Sequence, residues 1–247
     1  MNKLSIQYCS DLHLEFKANE NYLLQNSLVP QAEILILAGD ILPFRLLEKH
    51  RWFPDWCAAN FETTYWIPGN HEYYHFDLAD VKIPLNEKIR ENVILLNNQV
   101  VTYKTAELVF TTLWSYIPPQ SEYIVQQSVN DFNLIKNKGK KFTAADFNTL
   151  HQTDFEFLNI ALANPTGKQR IVITHHIPTM RHYPVQYKNS PINVAFATEL
   201  CDTIENSNAS HWIYGHHHYN IPPFIIGSTT LLTQPVGLCT EQRTQNF

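Results

Sequence analysis

The chain has 247 residues, 44% of them hydrophobic and 17% charged, which is apolar enough for one extensive core and excludes a largely disordered chain. Its net charge of −5 weighs against a broad phosphate-backbone footprint, because such a footprint needs a basic face, and no apolar run reaches the length of a membrane span. Four cysteines without a C-x-x-C pair, Cys9, Cys57, Cys201 and Cys239, exclude a disulfide framework and, with no secretory leader, predict reduced thiols in a cytoplasmic protein of one domain, residues 1–247.

In chain order, residues 3–9 alternate loosely and predict a strand that delivers Asp11 and His13 just past its end. Side chains two apart in extended chain point the same way, so the two can reach one metal together. The apolar run at 32–38 suits a strand buried on both faces and ends in Gly39-Asp40. Residues 46–59 predict a helix interrupted by Pro54. A β-prone run from Thr64 to Ile67 stops at Pro68-Gly69, and the turn presents Asn70, His71 and Glu72 side by side. Glu72 reads as a cap of the helix that follows, or as the group that orients His71.

Residues 78–90 predict that helix, residues 93–96 and 107–114 predict strands, and 120–163 predict polar helix with a capping box at Thr143-x-x-Asp146. The stripe Phe147, Leu150, Phe157, Leu158, Ala161 and Leu162 is core, and Asn164-Pro165-Thr166-Gly167 stops it. Another buried strand, 171–174, ends in His175-His176-Ile177-Pro178; a helix is expected from Ser190 to about Ser207. The strand 211–214 ends in Gly215-His216-His217-His218, where His216 and His218 face together, and one or two closing strands follow in 221–233.

Five strand ends thus carry the chemistry, and seven of the twelve histidines fall there. An imidazole-rich, thiol-free set with carboxylates suits Mn, Fe, Zn or Co better than Ca or Mg. A single ion would be over-supplied. Two ions about 3.5–4 Å apart, sharing a bridging carboxylate, would use the whole set, and that arrangement serves the hydrolysis of phosphate esters.

The ordered pattern D-x-H, G-D, G-N-H-E, H-H-x-P and G-H-x-H, from residue 11 to 218, resembles that of the calcineurin-like metallophosphoesterase superfamily. The resemblance implies an α/β fold, a four-layer α/β-β/α sandwich with a dimetal site at the carboxyl ends of its central strands. It implies that Asp11, His13, Asp40 and His218 hold one metal, that Asp40, Asn70, His175 and His216 hold the other, and that His71 is the catalytic imidazole. Either His175 or His176 can serve in the H-H-x-P motif; His175, the first residue past the strand, is preferred. The implied activity is hydrolysis of a small-molecule phosphomonoester or phosphodiester by a metal-bridging hydroxide. An inactive scaffold of the same fold and a nuclease are the alternatives. Tyr73, Tyr74, Arg45, Arg181, His182 and Trp114 lie near the motifs and read first as packing and surface charge. The long excursion 73–174, with its basic loop Lys136 to Lys141, reads either as a wall beside the site or as cover for one sheet face.

Overall fold

The computed structural model describes residues 4–82, 84–164 and 166–239. Residues 1–3 of the expected first strand and N-terminus, and Pro165 of the expected helix stop, lie outside the described residues.

Two sheets pack face to face. The first has β1 (Ile6–Cys9), β2 (Ile34–Ala38), β3 (Thr63–Ile67), β4 (Asn86–Arg90) and β5 (Val93–Leu96) in the order β1-β2-β3-β5-β4. All neighbours are parallel except the edge strand β4. The second contains β6 (Gln99–Tyr103), β7 (Ala106–Phe110), β10 (Gln169–Ile173), β11 (His211–Tyr214), β12 (Phe224–Ile226) and β13 (Thr229–Thr233), in the order β12-β13-β11-β10-β7-β6. Its four inner strands are parallel and its two edges antiparallel. Between β7 and β10 lies a short two-stranded hairpin, β8 (Lys136–Asn137) and β9 (Lys140–Lys141).

The alternation of side chains along each strand builds the layers. Ile34, Ile36 and Ala38 of β2 meet Leu108, Phe110, Ile171, Ile173 and Ile213 of the other sheet in the central core. Leu35 and Leu37 point the opposite way, onto Leu23 of α1 (Lys17–Gln25) and Phe53 and Cys57 of α2 (Trp52–Asn60). On the far side, Val109, Val172 and Trp212 pack against Leu158 and Ala161 of α5 (Ala144–Ala163) and Ile204 of α6 (Cys201–Asn206). This is the four-layer α/β-β/α sandwich. Each large side chain fully buried in it contributes roughly 1.5–3 kcal/mol.

Several expectations are corrected. Pro54 does not break a helix, because α2 begins only at Trp52 and Pro54 sits in its first turn, where an N–H would lack an acceptor. The expected helix at 78–90 is not found among the described residues, Ile83 lying outside them: a 3-10 turn at Leu78–Asp80 precedes β4, whose exposed Asn86, Glu87 and Lys88 guard a sheet edge. The polar stretch 120–163 holds α3 (Glu122–Ser128), α4 (Asp131–Leu134), the hairpin and then α5, which carries the expected capping box. The basic loop is that hairpin, held by the Asp77 carboxylate, which accepts from the Lys138 and Gly139 amides at 2.8 and 2.6 Å. Ser190 to Ser207 is no continuous helix but a 3-10 turn at Asn193–Ala195 followed by α6, because Ala197 pairs with Ile177 as an isolated parallel bridge between them.

Candidate metal centre

Parallel strands present all their carboxyl ends at one edge, and β1, β2, β3, β10 and β11 each run out there into a short loop. The loops after β1 and β2 are laced together: the Asp11 amide donates to Gly39 O at 2.9 Å and the His13 amide to Asp40 O at 3.0 Å. The extended-chain reasoning for Asp11 and His13 is corrected, since β1 stops at Cys9 and both residues are left-handed, with φ of 55° and 47°. Asp40, His216 and His218 share that conformation, with φ of 56°, 79° and 55°. Such backbone is costly for residues with a Cβ, and its concentration at five candidate positions marks loops shaped for a task.

The side chains converge in two groups. Asp11, His13, Asp40 and His218 each offer one ligand atom, all within 4.8 Å of one another; Asp40, His175 and His216 do the same. Asp40 belongs to both. Within the first group, Nε2 of His13 and Nε2 of His218 stand 2.8 Å apart, and within the second Nε2 of His175 and Nδ1 of His216 stand 3.1 Å apart. Asp40 Oδ2 lies 3.8 Å from His13 Nε2, and Oδ1 lies 3.4 Å from His175 Nε2. His176 is not in either group: its ring is buried against Trp114 and Phe147, with both nitrogens lacking a hydrogen-bond partner.

Asn70, from the loop after β3, is held by one end of its amide. Its Nδ2 donates to Asp131 Oδ1 at 2.8 Å, which leaves Oδ1 buried and unpartnered. Tyr74 donates its hydroxyl to the same Asp131 oxygen at 2.8 Å. His71 belongs to neither of these two groups but borders them, its amide donating to Asp40 Oδ1 at 2.9 Å. Its Nδ1 is 2.8 Å from Glu15 Oε1 and its Nε2 3.9 Å from Asp40 Oδ2. Glu15 Oε1 also lies 3.2 Å from His13 Nδ1, so the third grouping of His13, Glu15 and His71 is a carboxylate joining two imidazoles. Burial would push Glu15 up, but hydrogen bonds from His13 and His71 hold it down at about 2. Being ionised, it only accepts, and His71 therefore carries its Nδ1 proton toward Glu15.

Glu72 neither caps a helix nor touches His71. Its buried carboxylate accepts from the amides of Asp40, Ile41 and Gly69 at 2.9, 2.8 and 2.7 Å and from the Trp66 indole at 3.0 Å. It therefore ties the loop after β2 to the loop after β3. Sequence reasoning missed Glu15 and Asp131. Glu15 had a signal, continuing the D-x-H alternation by two residues, whereas Asp131 lies in a stretch with no motif.

The protein's own charges fit a cation here. Burial opposes ionisation of Asp40, yet His175, His71 and His13 outweigh it and hold the carboxyl well below its ordinary range. Burial lowers His13 and His216 toward the neutral form that ligates, while Asp40 holds His175 up at about 9 against its burial, with a proton that a bound metal would displace. Close approach is built in as well. A Cβ on Gly39 would collide with the His175 ring, and one on Gly69 with Asp40 Oδ1 and, at 2.6 Å, with His175 Nε2. Gly39 is also left-handed, at φ 88°. An unpartnered amide oxygen, converging imidazoles and a shared carboxylate form a donor set suited to two metal ions.

The chain belongs to the calcineurin-like phosphoesterase family, a class of metal-dependent phosphoester hydrolases, with a family model matching residues 4–220. A relative from Acanthamoeba polyphaga mimivirus, Uncharacterized protein L509, is 31% identical over 267 residues, covering 98% of this chain and 94% of its own. Among solved structures, the phosphopantetheinyl hydrolase PptH from Mycobacterium tuberculosis superposes with a TM-score of 0.72 at 19% identity over 99% of this chain and 94% of that one, and so shares the fold. A dimetal phosphatase from Danio rerio gives a TM-score of 0.42 at 12% identity, covering 93% and 86%. Among the described residues, no helix is long and apolar enough to cross a membrane.

Proposed function

We propose that this chain, acting as a single domain, is a dimetal hydrolase of small-molecule phosphoesters, with Asp11, His13, Asp40 and His218 holding one transition-metal ion and Asp40, Asn70, His175 and His216 the other. The observation that carries this reading is the membership of Asp40 in both donor groups. When bound, Mn, Fe, Zn or Co ions would lower the pKa of a water between them and take up charge on the phosphoryl oxygens. Two carboxylates, Asp11 and Asp40, against two divalent ions leave the site cationic, which suits a phosphate ester and its transition state.

The remaining roles belong to the chain. His71, held through Nδ1 by Glu15, turns Nε2 toward the reacting centre and gives its proton to the departing alkoxide. Asp131 holds the Asn70 amide nitrogen, which would leave the amide oxygen for the second ion. Glu72 keeps the Asp40 and Asn70 loops in register. An inactive scaffold would be expected to lack one of these side chains, and every one is present. A panel of monoesters and diesters, assayed with apo protein reconstituted with Mn, Zn, Fe or Mg, tests the proposal; no turnover with any ion would refute it.

A further inference from the structure

A cavity of about 330 Å3 opens beside the donor groups, running from Asp40, Asn70 and His71 to the segment around Tyr187 and Asn193. One wall is Ser128 to Asp131, from the excursion whose role the sequence left open, and the other comes from residues 183–196 with Tyr219. The hairpin Lys136 to Lys141 contributes nothing to this lining.

The chemistry of those walls is selective. Among the described residues, no lysine or arginine lines the cavity, although Arg181 and Lys188 are close in sequence. Its acids are Asp40, within the donor groups, and Asp131, which already accepts from Asn70 and Tyr74. Away from the donor groups, the walls therefore offer hydroxyls, amides and rings. Tyr187 and Tyr219 meet edge to face at 5.8 Å, with hydroxyls 3.4 Å apart. A second anionic group placed here would lose water without gaining a cation, which is expensive. A flat, uncharged ring would gain contact with aromatic faces instead.

We propose, resting on the phosphoesterase reading, that the substrate bears a single phosphoryl group, and that its organic part is uncharged and carries an aromatic ring lying against Tyr187 and Tyr219. Compounds with a second phosphate or a carboxylate on that part are rejected, and a nucleic-acid strand is rejected with them. Only the phosphoryl end meets positive charge.

The test is a calorimetric titration of the metal-reconstituted full chain with methylphosphonate, phenylphosphonate and 4-carboxyphenylphosphonate. Phenylphosphonate should bind at least tenfold tighter than the methyl compound, and the added carboxylate should cost at least tenfold of that affinity. In the Tyr187→Ala/Tyr219→Ala variant the phenyl-to-methyl ratio should fall to near one. Should that variant fail to fold, Asn130→Lys, on the exposed wall, serves instead and should bring 4-carboxyphenylphosphonate to within threefold of phenylphosphonate. Equal binding of the phenyl and carboxyphenyl compounds, an unchanged ratio in the double variant, or no gain from the lysine would overturn the proposal. Hydrolysis of p-nitrophenyl phosphate, a monoester, and of the diesters methyl and phenyl p-nitrophenyl phosphate separates the two readings. If none of the three turns over while the phosphonates bind in the stated order, the phosphoesterase reading fails and the cavity assignment stands; if any turns over with no phenyl preference in binding, the reverse holds.

Discussion

Glu15 Oε1 faces the Nδ1 atoms of two histidines, His71 at 2.8 Å and His13 at 3.2 Å, so one carboxylate sets the tautomer of a candidate metal ligand and of the candidate acid together. The two can be separated by mutation. His71→Ala should keep two equivalents of metal and lose activity mainly on esters of poor leaving groups, by about 100-fold or more, because an activated aryl ester needs little protonation on departure. Glu15→Gln should weaken one metal and lower activity together, each by about tenfold. Comparing alkyl with p-nitrophenyl esters under matched metal loading checks this; equal losses on both kinds of ester in His71→Ala would make the residue a phosphate-positioning group.

Asp40 is the common member of both donor groups, so Asp40→Ala should release both ions, whereas His13→Ala should chiefly weaken one. Metal analysis after gel filtration reads the stoichiometry directly. Two equivalents retained on the Asp40 variant would contradict the bridge.

Asp131 reaches the site from α4 and holds the Asn70 side chain, whose Oδ1 is otherwise without a partner. Replacing it with alanine leaves Asn70 Nδ2 with only the 3.4 Å contact to the Tyr74 hydroxyl. Affinity at the group of Asp40, Asn70, His175 and His216 should then fall about 10–100-fold, while the group containing Asp11 and His13 keeps its ion. A two-step metal titration distinguishes the sites. Loss of both steps alike would assign Asp131 to general folding.

Asp154, on the buried face of α5, supplies a pH test on a residue outside the donor groups. Burial pushes its carboxyl from 3.8 up to about 6, although it accepts from Asn98 Nδ2 and the Trp114 amide. The folded state therefore holds this proton more tightly than the unfolded one, so the stabilisation is complete below about pH 4 and lost as pH rises through about 6. Asp154→Asn lacks this titration. Between about pH 4 and pH 7 the unfolding free energy of wild type should fall relative to the variant by up to about 3 kcal/mol. Urea denaturation of both proteins at several pH values measures it; a constant difference would show that Asp154 does not titrate in that window.

The positions where strands stop were legible because a buried strand is a run of apolar residues and a polar residue after Gly or Pro-Gly interrupts it. Gly39-Asp40 after Ile34–Ala38 and Asn70-His71 after Thr63–Ile67 need no tertiary information to be seen. The edge strand β4 was not legible: Asn86–Arg90 is largely exposed and charged, and its pattern matches a polar helix until β5 pairs with it. The break of 120–163 at the hairpin was equally hidden, since the Asp77 carboxylate that holds it comes from outside the segment.

By itself, the sequence determined which residues could ligate a metal and that they fall at five strand ends, since residue chemistry and apolar runs are local properties. Only the tertiary structure decided which of them meet. Parallel packing puts the ends of β1, β2 and β3 opposite those of β10 and β11, so that Asp40 stands between both groups. Left-handed backbone at Asp11 and His13, rather than strand alternation, turns their side chains together. The approach of His175 to Asp40 and His216, the support from Glu15 and Asp131, and the uncharged walls of the cavity all depend on groups far apart in the chain, and no local pattern can encode a contact whose partner lies across the fold.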